Sequence, residues 1–157
     1  MDCTRCQAET VAFSLPSTYR DPALLPDGFA DVDDDGHRRE PALHRATICL
    51  RCLTVRAGPV DAECDESGPS ALEGDRVDRI ASTFPRDADA AVPLALALAC
   101  CESMAHNREP LSALLECVER AGVDPLLTID RLLDDPSIEP AVDLERRRHQ
   151  LEQLHYG

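Results

Sequence analysis

Two short cysteine pairs are the residues whose type and spacing most clearly allow chemistry. The first is C-T-R-C, with Cys3 and Cys6, and the second is C-L-R-C, with Cys49 and Cys52. In a C-x-x-C segment one tight turn directs two sulfur atoms at the same point, so two such segments can offer four thiolates to one metal ion. The spacing therefore predicts a single four-thiolate metal site that the two pairs share.

Zinc is the metal that a tetrahedron of four thiolates favours, and we expect one Zn²⁺ per chain. Mononuclear iron accepts the same four ligands, so the spacing leaves zinc versus iron open. A dithiol redox pair would instead open a helix in a βαβ unit, a pattern that this sequence lacks. Because four thiolates leave no coordination position for water, the expected role of the metal is structural rather than catalytic.

The segments around the cysteine pairs have the short, alternating pattern of β-strands. Residues 9–15 place Val, Phe and Leu on one face, and residues 46–50 and 53–57 give two more strands. Between the first two strands lies a loop rich in Pro, Gly and acidic residues. Its D-V-D-D-D-G segment (31–36) begins like an EF-hand loop, but Ala42 stands where that loop needs a glutamate, so we expect no specific calcium site.

After about residue 70 the hydrophobic spacing becomes helical. Residues 77–84 repeat apolar positions at helical intervals, and the segment at roughly 88–104 is apolar on all sides, as in a buried central helix. Because Pro93 lies inside this segment, a start at Pro93 with a looser turn before it is the alternative. Three more helices are predicted to begin near Pro110, at Asp124–Pro125 and near Pro140, with Gly122 ending the first of them.

The predicted fold class is α+β. A small N-terminal antiparallel zinc ribbon of about three short strands, with an acidic loop insertion, occupies residues 1–60. A linker at 61–70 leads to an all-α bundle of about four to five helices at 71–157. Such a small ribbon has little core of its own, and metal binding worth roughly 10–16 kcal/mol in small peptides would dominate its stability.

The two cysteine pairs and their flanking strands resemble a zinc ribbon. Ribbon turns commonly place Gly after the second cysteine, whereas Gln7 and Leu53 stand there in this chain. With the helical segments V-E-R-A-G-V-D-P-L-L and V-D-L-E-R-R-R-H-Q-L-E-Q-L, the whole chain resembles an uncharacterised family of small acidic zinc-ribbon-plus-helix proteins of halophilic archaea. That resemblance implies a structural metal site and no particular activity.

The charge of the chain is acidic throughout. There are 30 acidic and 16 basic residues, giving a formal net charge of −14, and all of the basic residues counted are Arg. Because the acidic residues are spread along the whole sequence, we interpret them as a surface adapted to molar intracellular salt rather than as one face for a basic partner. The only basic cluster, R-R-R-H at 146–149, wraps around its predicted helix, where Arg148 and Glu152 are spaced as an ion pair.

The other candidate ligands have weaker spacing. Cys100 and Cys101 are adjacent in a predicted helix, where side chains diverge by about 100°, so they form a poor chelating pair. Together with Cys117 they are expected to be buried apolar residues, whereas Cys64 is expected to be exposed in the linker. The roles of these four cysteines stay open. Two histidines between the pairs, His37 and His44, are expected to be ordinary loop or strand residues.

The first functional hypothesis is a non-enzymatic zinc-binding adaptor that contacts another protein. Self-association through the helical domain is a variant of it. The sequence has no glycine-rich phosphate loop, no H-E-x-x-H and no G-x-S-x-G, so we expect no enzyme. It also has neither an apolar run long enough for a membrane span nor the start of a signal peptide, and we expect a cytoplasmic location and no membrane partner.

The alternative hypothesis is a nucleic-acid-binding zinc ribbon associated with transcription or RNA. Arg5 and Arg51 lie one inside each cysteine pair, and the turns would present them side by side as contacts to the ligand. The acidic character of the N-terminal part argues against this hypothesis, because phosphate contacts need positive charge and lose affinity as salt rises.

Overall fold

The computed structural model describes most of the sheet region and the chain from Phe84 to Tyr156. The described residues are 3–15, 17–19, 21, 24–26, 29, 31–39, 45–57 and 84–156.

Among the described residues, five short strands form two antiparallel sheets. The strands are β1 (Thr10–Ser14), β2 (Asp31–Val32), β3 (Arg38–Arg39), β4 (Arg45–Cys49) and β5 (Val55–Ala57). The main sheet has the order β1-β4-β5, and β2 pairs with β3 in a small hairpin within the acidic loop. The register places Thr10 opposite Cys49 and Ile48 opposite Val55, so β4 is the central strand of the main sheet.

Four α-helices follow the sheet in the part of the chain that the structure describes. They are α1 (Ala88–Cys100), which continues into a 3₁₀ turn (Cys101–Ser103), α2 (Arg108–Arg120), α3 (Pro125–Asp134) and α4 (Leu144–Tyr156). The α+β class is therefore confirmed, with three strands in the main sheet and four helices. The helix predicted at 77–84, apart from Phe84, and the linker predicted at 61–70 lie outside the described residues, so the domain boundaries stay predictions.

Two helix ends confirm the signals that predicted them. The carboxylate of Asp124 accepts a hydrogen bond from the backbone N–H of Leu127 at 3.1 Å, which caps the first turn of α3. Gly122 has a φ of +88°, a left-handed conformation that ends α2 and that glycine adopts without a steric penalty.

An aspartate determines the start of two other helices: the observed start at Ala88 confirms the predicted segment and not the alternative at Pro93, whereas the start predicted near Pro140 was wrong. Asp87 accepts from the N–H of Asp89 at 3.0 Å and starts α1 a turn before Pro93, which therefore lies inside the helix. The helix tolerates this proline because its whole apolar surface is buried, so packing outweighs the lost hydrogen bond. Asp143 accepts from the N–H of Arg146 at 3.1 Å and starts α4 after Pro140.

The sheet and the helices share one hydrophobic core. Alternate residues of β1 and the residue after it point into it, since Val11, Phe13 and Leu15 are buried while Ala12 is exposed. α1 contacts both β5 and α2, and supplies the centre of the cluster. Representative members from the two parts are Val11, Phe13, Ile48, Val55, Leu94, Leu96, Leu114, Leu115 and Leu151. Within the described part of the chain, no helix has the length and apolarity needed to cross a membrane.

Candidate metal centre

The four cysteines of the two pairs lie together at one end of the sheet. Their sulfur atoms all lie within 4.8 Å of one another. Two sulfur pairs cross between the turns, at 3.6 Å for Cys3 and Cys52 and 3.4 Å for Cys6 and Cys49. These distances exceed a disulfide bond and are close to the spacing of about 3.8 Å that four thiolates adopt around a zinc ion at 2.3 Å. The donor set therefore fits a tetrahedral metal ion.

Each cysteine pair is held by the same backbone turn. The N–H of Cys3 donates to the carbonyl of Ala8 at 2.8 Å, and the N–H of Cys49 donates to the carbonyl of Thr54 at 3.0 Å. Within the turns, the N–H groups of Arg5 and Arg51 point at the sulfur two residues earlier, at 3.4 and 3.5 Å. Such N–H donors stabilise negative charge on sulfur, so both turns are shaped to present thiolates.

Burial closes the site against water on most sides. Cys3, Cys49 and Cys52 are buried, and Cys6 is partly buried. The hydroxyl of Thr54, itself buried, lies 3.0 Å from the sulfur of Cys52 and can donate a hydrogen bond to a thiolate there. A closed set of four sulfur ligands holds a metal ion firmly and leaves no position for a substrate.

The thiols of Cys3 and Cys49 have pKa values that shift in opposite directions in the absence of a cation. Burial pushes the pKa of the Cys3 thiol upward, but the backbone N–H groups of Cys6 and Arg5, with hydrogen bonds from the thiols of Cys52 and Cys49, bring the pKa down to about 7. Burial raises the pKa of Cys49 to about 12, despite the N–H groups of Cys52 and Arg51. A divalent cation is therefore needed to hold four thiolates here, and its binding displaces protons.

The residue that follows each pair adopts a left-handed conformation. Gln7 has a φ of 66° and Leu53 a φ of 58°, at the positions where ribbon turns commonly place Gly. A side chain in this region costs about 1–2 kcal/mol relative to the right-handed conformation. Each turn therefore has a left-handed residue after its second cysteine without glycine at that position, at the expense of local strain.

Replacing Gln7 with glycine is expected to raise the free energy of unfolding by roughly 0.5–1 kcal/mol, because glycine removes the strain and the glutamine side chain is exposed. Leu53→Gly is the matched contrast, since Leu53 is buried and its loss removes packing that outweighs the relief of strain. Urea unfolding of the metal-loaded variants checks both expectations. A destabilised Gln7→Gly variant would contradict the strain argument.

The helical part of the chain fastens both turns. Arg5 forms an ion pair with Glu102 at 3.2 Å, and Arg51 forms one with Glu139 at 2.7 Å. The segment before α4 also runs along the second turn, where the N–H of Glu139 donates to the carbonyl of Arg51 at 2.8 Å and that of Ala141 to the carbonyl of Cys52 at 3.0 Å. The two arginines at the tips of the turns therefore each have an acidic partner within the chain.

Three residues around the site were missed by the sequence analysis: Thr54, Glu102 and Glu139. Thr54 carried a usable signal, because a hydroxyl two residues after a cysteine ligand can reach its sulfur. The two glutamates carried none, since Glu102 and Glu139 lie 97 and 88 residues from the arginines that they contact.

Of the other cysteines, the three that the structure describes are not part of the four-sulfur cluster. Cys100 and Cys101 are buried, as expected, and burial raises the pKa of Cys101 to about 12, although Arg147 opposes that shift. Cys117 is half-buried and lies near Tyr19, whose pKa is raised to about 12 by burial and by Cys117. Cys64 lies outside the described residues.

The structure describes part of the acidic loop and all of the basic cluster. Asp33, Asp35 and His37 lie close together in the exposed hairpin, where Asp33 accepts from the backbone N–H groups of the other two. His44 lies outside the described residues. The predicted ion pair of Arg148 with Glu152 is confirmed at 2.9 Å, and Arg148 also contacts Asp130 at 2.7 Å.

No curated protein and no solved structure matches this chain. A family model does match, and it covers residues 2–155, which include both cysteine pairs and all four helices. The chain therefore belongs to the family of unknown function DUF6276.

Proposed function

We propose that the protein is a non-enzymatic adaptor, a protein-interaction module whose single zinc ion is structural. The observation that carries this proposal is the closed set of four cysteine sulfurs within 4.8 Å, on two turns that the helical part fastens. Zinc is preferred to iron because it favours tetrahedral thiolates and carries no redox activity that the fold would have to control.

The structural role of the metal is supported by its place between the two parts of the chain. Ion pairs and backbone hydrogen bonds join both turns to the segments around Glu102 and Glu139. A metal ion that shapes the turns thus also positions the 3₁₀ turn after α1 and the segment before α4. In this proposal the helices form the surface that a partner protein contacts, and the metal keeps that surface in shape.

A protein partner is favoured over nucleic acid by the pairing of the two arginines. Binding a phosphate through Arg5 or Arg51 would first require breaking the ion pair with Glu102 or Glu139. It would also bring the phosphate close to those two carboxylates, in a chain whose net charge is −14. Both effects reduce the electrostatic gain on which phosphate binding depends.

The metal content of the reduced, purified protein tests the core of the proposal. We expect about one equivalent of zinc per chain by elemental analysis, and less than about half an equivalent of any metal would contradict the proposal. Crosslinking in cell extract, with metal-loaded and chelated protein compared, then identifies the partner. A crosslinked dimer of the chain itself would favour self-association over an adaptor role.

Two pairs of charge variants separate a protein partner from nucleic acid. Arg5→Gln with Arg51→Gln removes the candidate phosphate contacts, whereas Glu102→Gln with Glu139→Gln frees the same arginines from their partners. If the adaptor hypothesis is correct, retention on single-stranded RNA and duplex DNA stays at background for all variants. Retention by the wild type that falls in the first double variant and rises in the second would establish the nucleic-acid alternative instead.

A further inference from the structure

A second candidate site lies on the helical part, and none of the four candidate metal ligands lines it. A cleft of about 350 Å³ opens between the turn before α2 and one face of α4. This volume falls in the range of about 300–1,000 Å³ that is usual for small-molecule sites. Its lining residues are Met104, Ala105, Arg108, Arg147, Gln150, Gln153 and Leu154.

The charge of this cleft is opposite to that of the protein. Two of its lining residues, Arg108 and Arg147, are cationic and none is acidic, although the chain has a net charge of −14. Within the described part of the chain neither arginine has an ion-pair partner, in contrast to Arg5, Arg51 and Arg148. The cleft therefore presents two positive charges, and no carboxylate in the described part of the chain forms an ion pair with either of them.

The polar side chains of α4 in the cleft offer hydrogen-bond donors that an oxyanion could accept from. Arg147 donates one hydrogen bond to the side-chain carbonyl of Gln150 at 3.0 Å, which orients its guanidinium and leaves its other N–H groups for a ligand. Gln153 adds a further amide on the same face of α4. A guanidinium presents paired donors that match the oxygens of a carboxylate or phosphate.

The start of α2 adds a favourable field at the same place. Arg108 is the first residue of this 13-residue helix, whose N-terminus carries a partial positive charge. The N-cap residue, Asn107, does not cap the helix with its side chain, which instead donates to the carbonyl of Ser103 at 3.0 Å. The first backbone N–H groups of α2 are thus without a side-chain cap next to the two arginines.

The apolar part of the cleft indicates that the ligand is larger than an inorganic ion. Met104 and Leu154 are partly buried and, with Ala105, contribute apolar surface beside the arginines. An organic anion can bury its apolar body on these side chains while its charged end contacts the guanidinium groups.

We infer that this cleft binds a small organic anion, with a carboxylate or phosphate at Arg108 and Arg147 and an apolar body against Met104 and Leu154. This site shares no residue with the four candidate metal ligands. It gives the helical part a ligand-binding role that the adaptor function does not require.

Titration of the metal-loaded protein with four probes tests the inference: benzoate, phenyl phosphate, inorganic phosphate and neutral benzamide. Signals of the arginine Nε–H and glutamine amide groups in the cleft are followed by NMR at constant ionic strength, since salt screens such contacts. Benzoate or phenyl phosphate is expected to saturate these signals, and benzamide is not. The tighter of the two anions identifies the charged end of the ligand, and weaker binding of inorganic phosphate is expected because it lacks the apolar body.

The variants Arg147→Gln and Arg108→Gln are each expected to weaken binding of the better probe by about tenfold or more, the cost of one charged hydrogen bond. Arg131→Gln, an exposed arginine on α3, is the control with the same charge change and is expected to leave binding unchanged. Two results would overturn the inference: no saturation by either organic anion, or equal weakening in the cleft variants and the control. Both arginines are at the surface, so neither substitution is expected to disturb folding. If one variant nevertheless fails to fold, the other still tests the inference.

Discussion

Replacing Cys49 with serine is expected to abolish retention of the metal ion and to destabilise the sheet. Cys49 is fully buried, and its sulfur lies 3.4 Å from that of Cys6. With one ligand lost, the remaining three sulfurs bind zinc too weakly to retain it against a chelator. The expected loss in the free energy of unfolding is about 4 kcal/mol or more, the stabilisation that a ligand provides at a thousandfold excess over its Kd.

The effect of Cys49→Ser must depend on the metal, because serine is similar to cysteine in size and hydrogen bonding. Unfolding by urea is therefore measured with and without a chelator, for the wild type and the variant. We expect a large difference when zinc is present and only a small one when both proteins are metal-free. Cys117→Ala is the control, because it removes a half-buried thiol from α2 and leaves the four candidate ligands intact.

Amide exchange extends this experiment to the helical part. The N–H groups of Glu139 and Ala141 donate to carbonyls of the second turn at 2.8 and 3.0 Å. Their exchange is expected to accelerate when the metal is removed, and by more than the exchange of amides in the middle of α2, which lie farther from the metal centre along the shared core. Retention of a full equivalent of metal by Cys49→Ser, or its loss from Cys117→Ala, would refute the assignment of the ligands.

The second large effect is expected from Leu94→Ala, which leaves a cavity at the centre of the molecule. Leu94 lies in α1, is fully buried, and belongs to the hydrophobic cluster that the sheet and helices share. Truncating such a leucine costs about 2–5 kcal/mol, depending on how far the surroundings relax. Because the core is continuous, the sheet and the helices are expected to lose stability together.

Hydrogen exchange at the amides of β4 and α2 measures whether the two parts respond together. Equal losses of protection are expected in both elements of the metal-loaded Leu94→Ala variant. Leu127→Ala is the matched control on α3, since 46% of Leu127 is exposed and its truncation is expected to change stability by less than about 0.5 kcal/mol. Unchanged protection of β4 in Leu94→Ala would mean that the sheet unfolds independently of the helices.

The elements that could be predicted from the sequence depend on local interactions. The alternation of Val11, Phe13 and Leu15 identified β1, because the side chains of a strand point to opposite faces. Asp124 and Gly122 identified helix ends, because a cap and a left-handed residue act within one turn. Prolines were a poorer guide to helix starts, since Asp87 caps a helix that contains Pro93 and Asp143 caps one that begins after Pro140.

The four candidate metal ligands could also be predicted from local interactions. Each C-x-x-C turn holds two sulfurs in place by hydrogen bonds within six residues, and pairing of β1 with β4 brings the two turns together. The sequence alone therefore identified the four cysteines that the structure brings within 4.8 Å.

The surroundings of that site depend on contacts between distant parts of the chain. Arg5 and Arg51 are at the tips of the turns, as expected, yet Glu102 and Glu139 pair with them only because α1 and the segment before α4 pack against the sheet. The cleft beside α2 likewise combines residues of two helices that are far apart in sequence. Spacing along the chain determines which side chains a turn or strand presents, whereas burial of a shared hydrophobic core determines which of them meet.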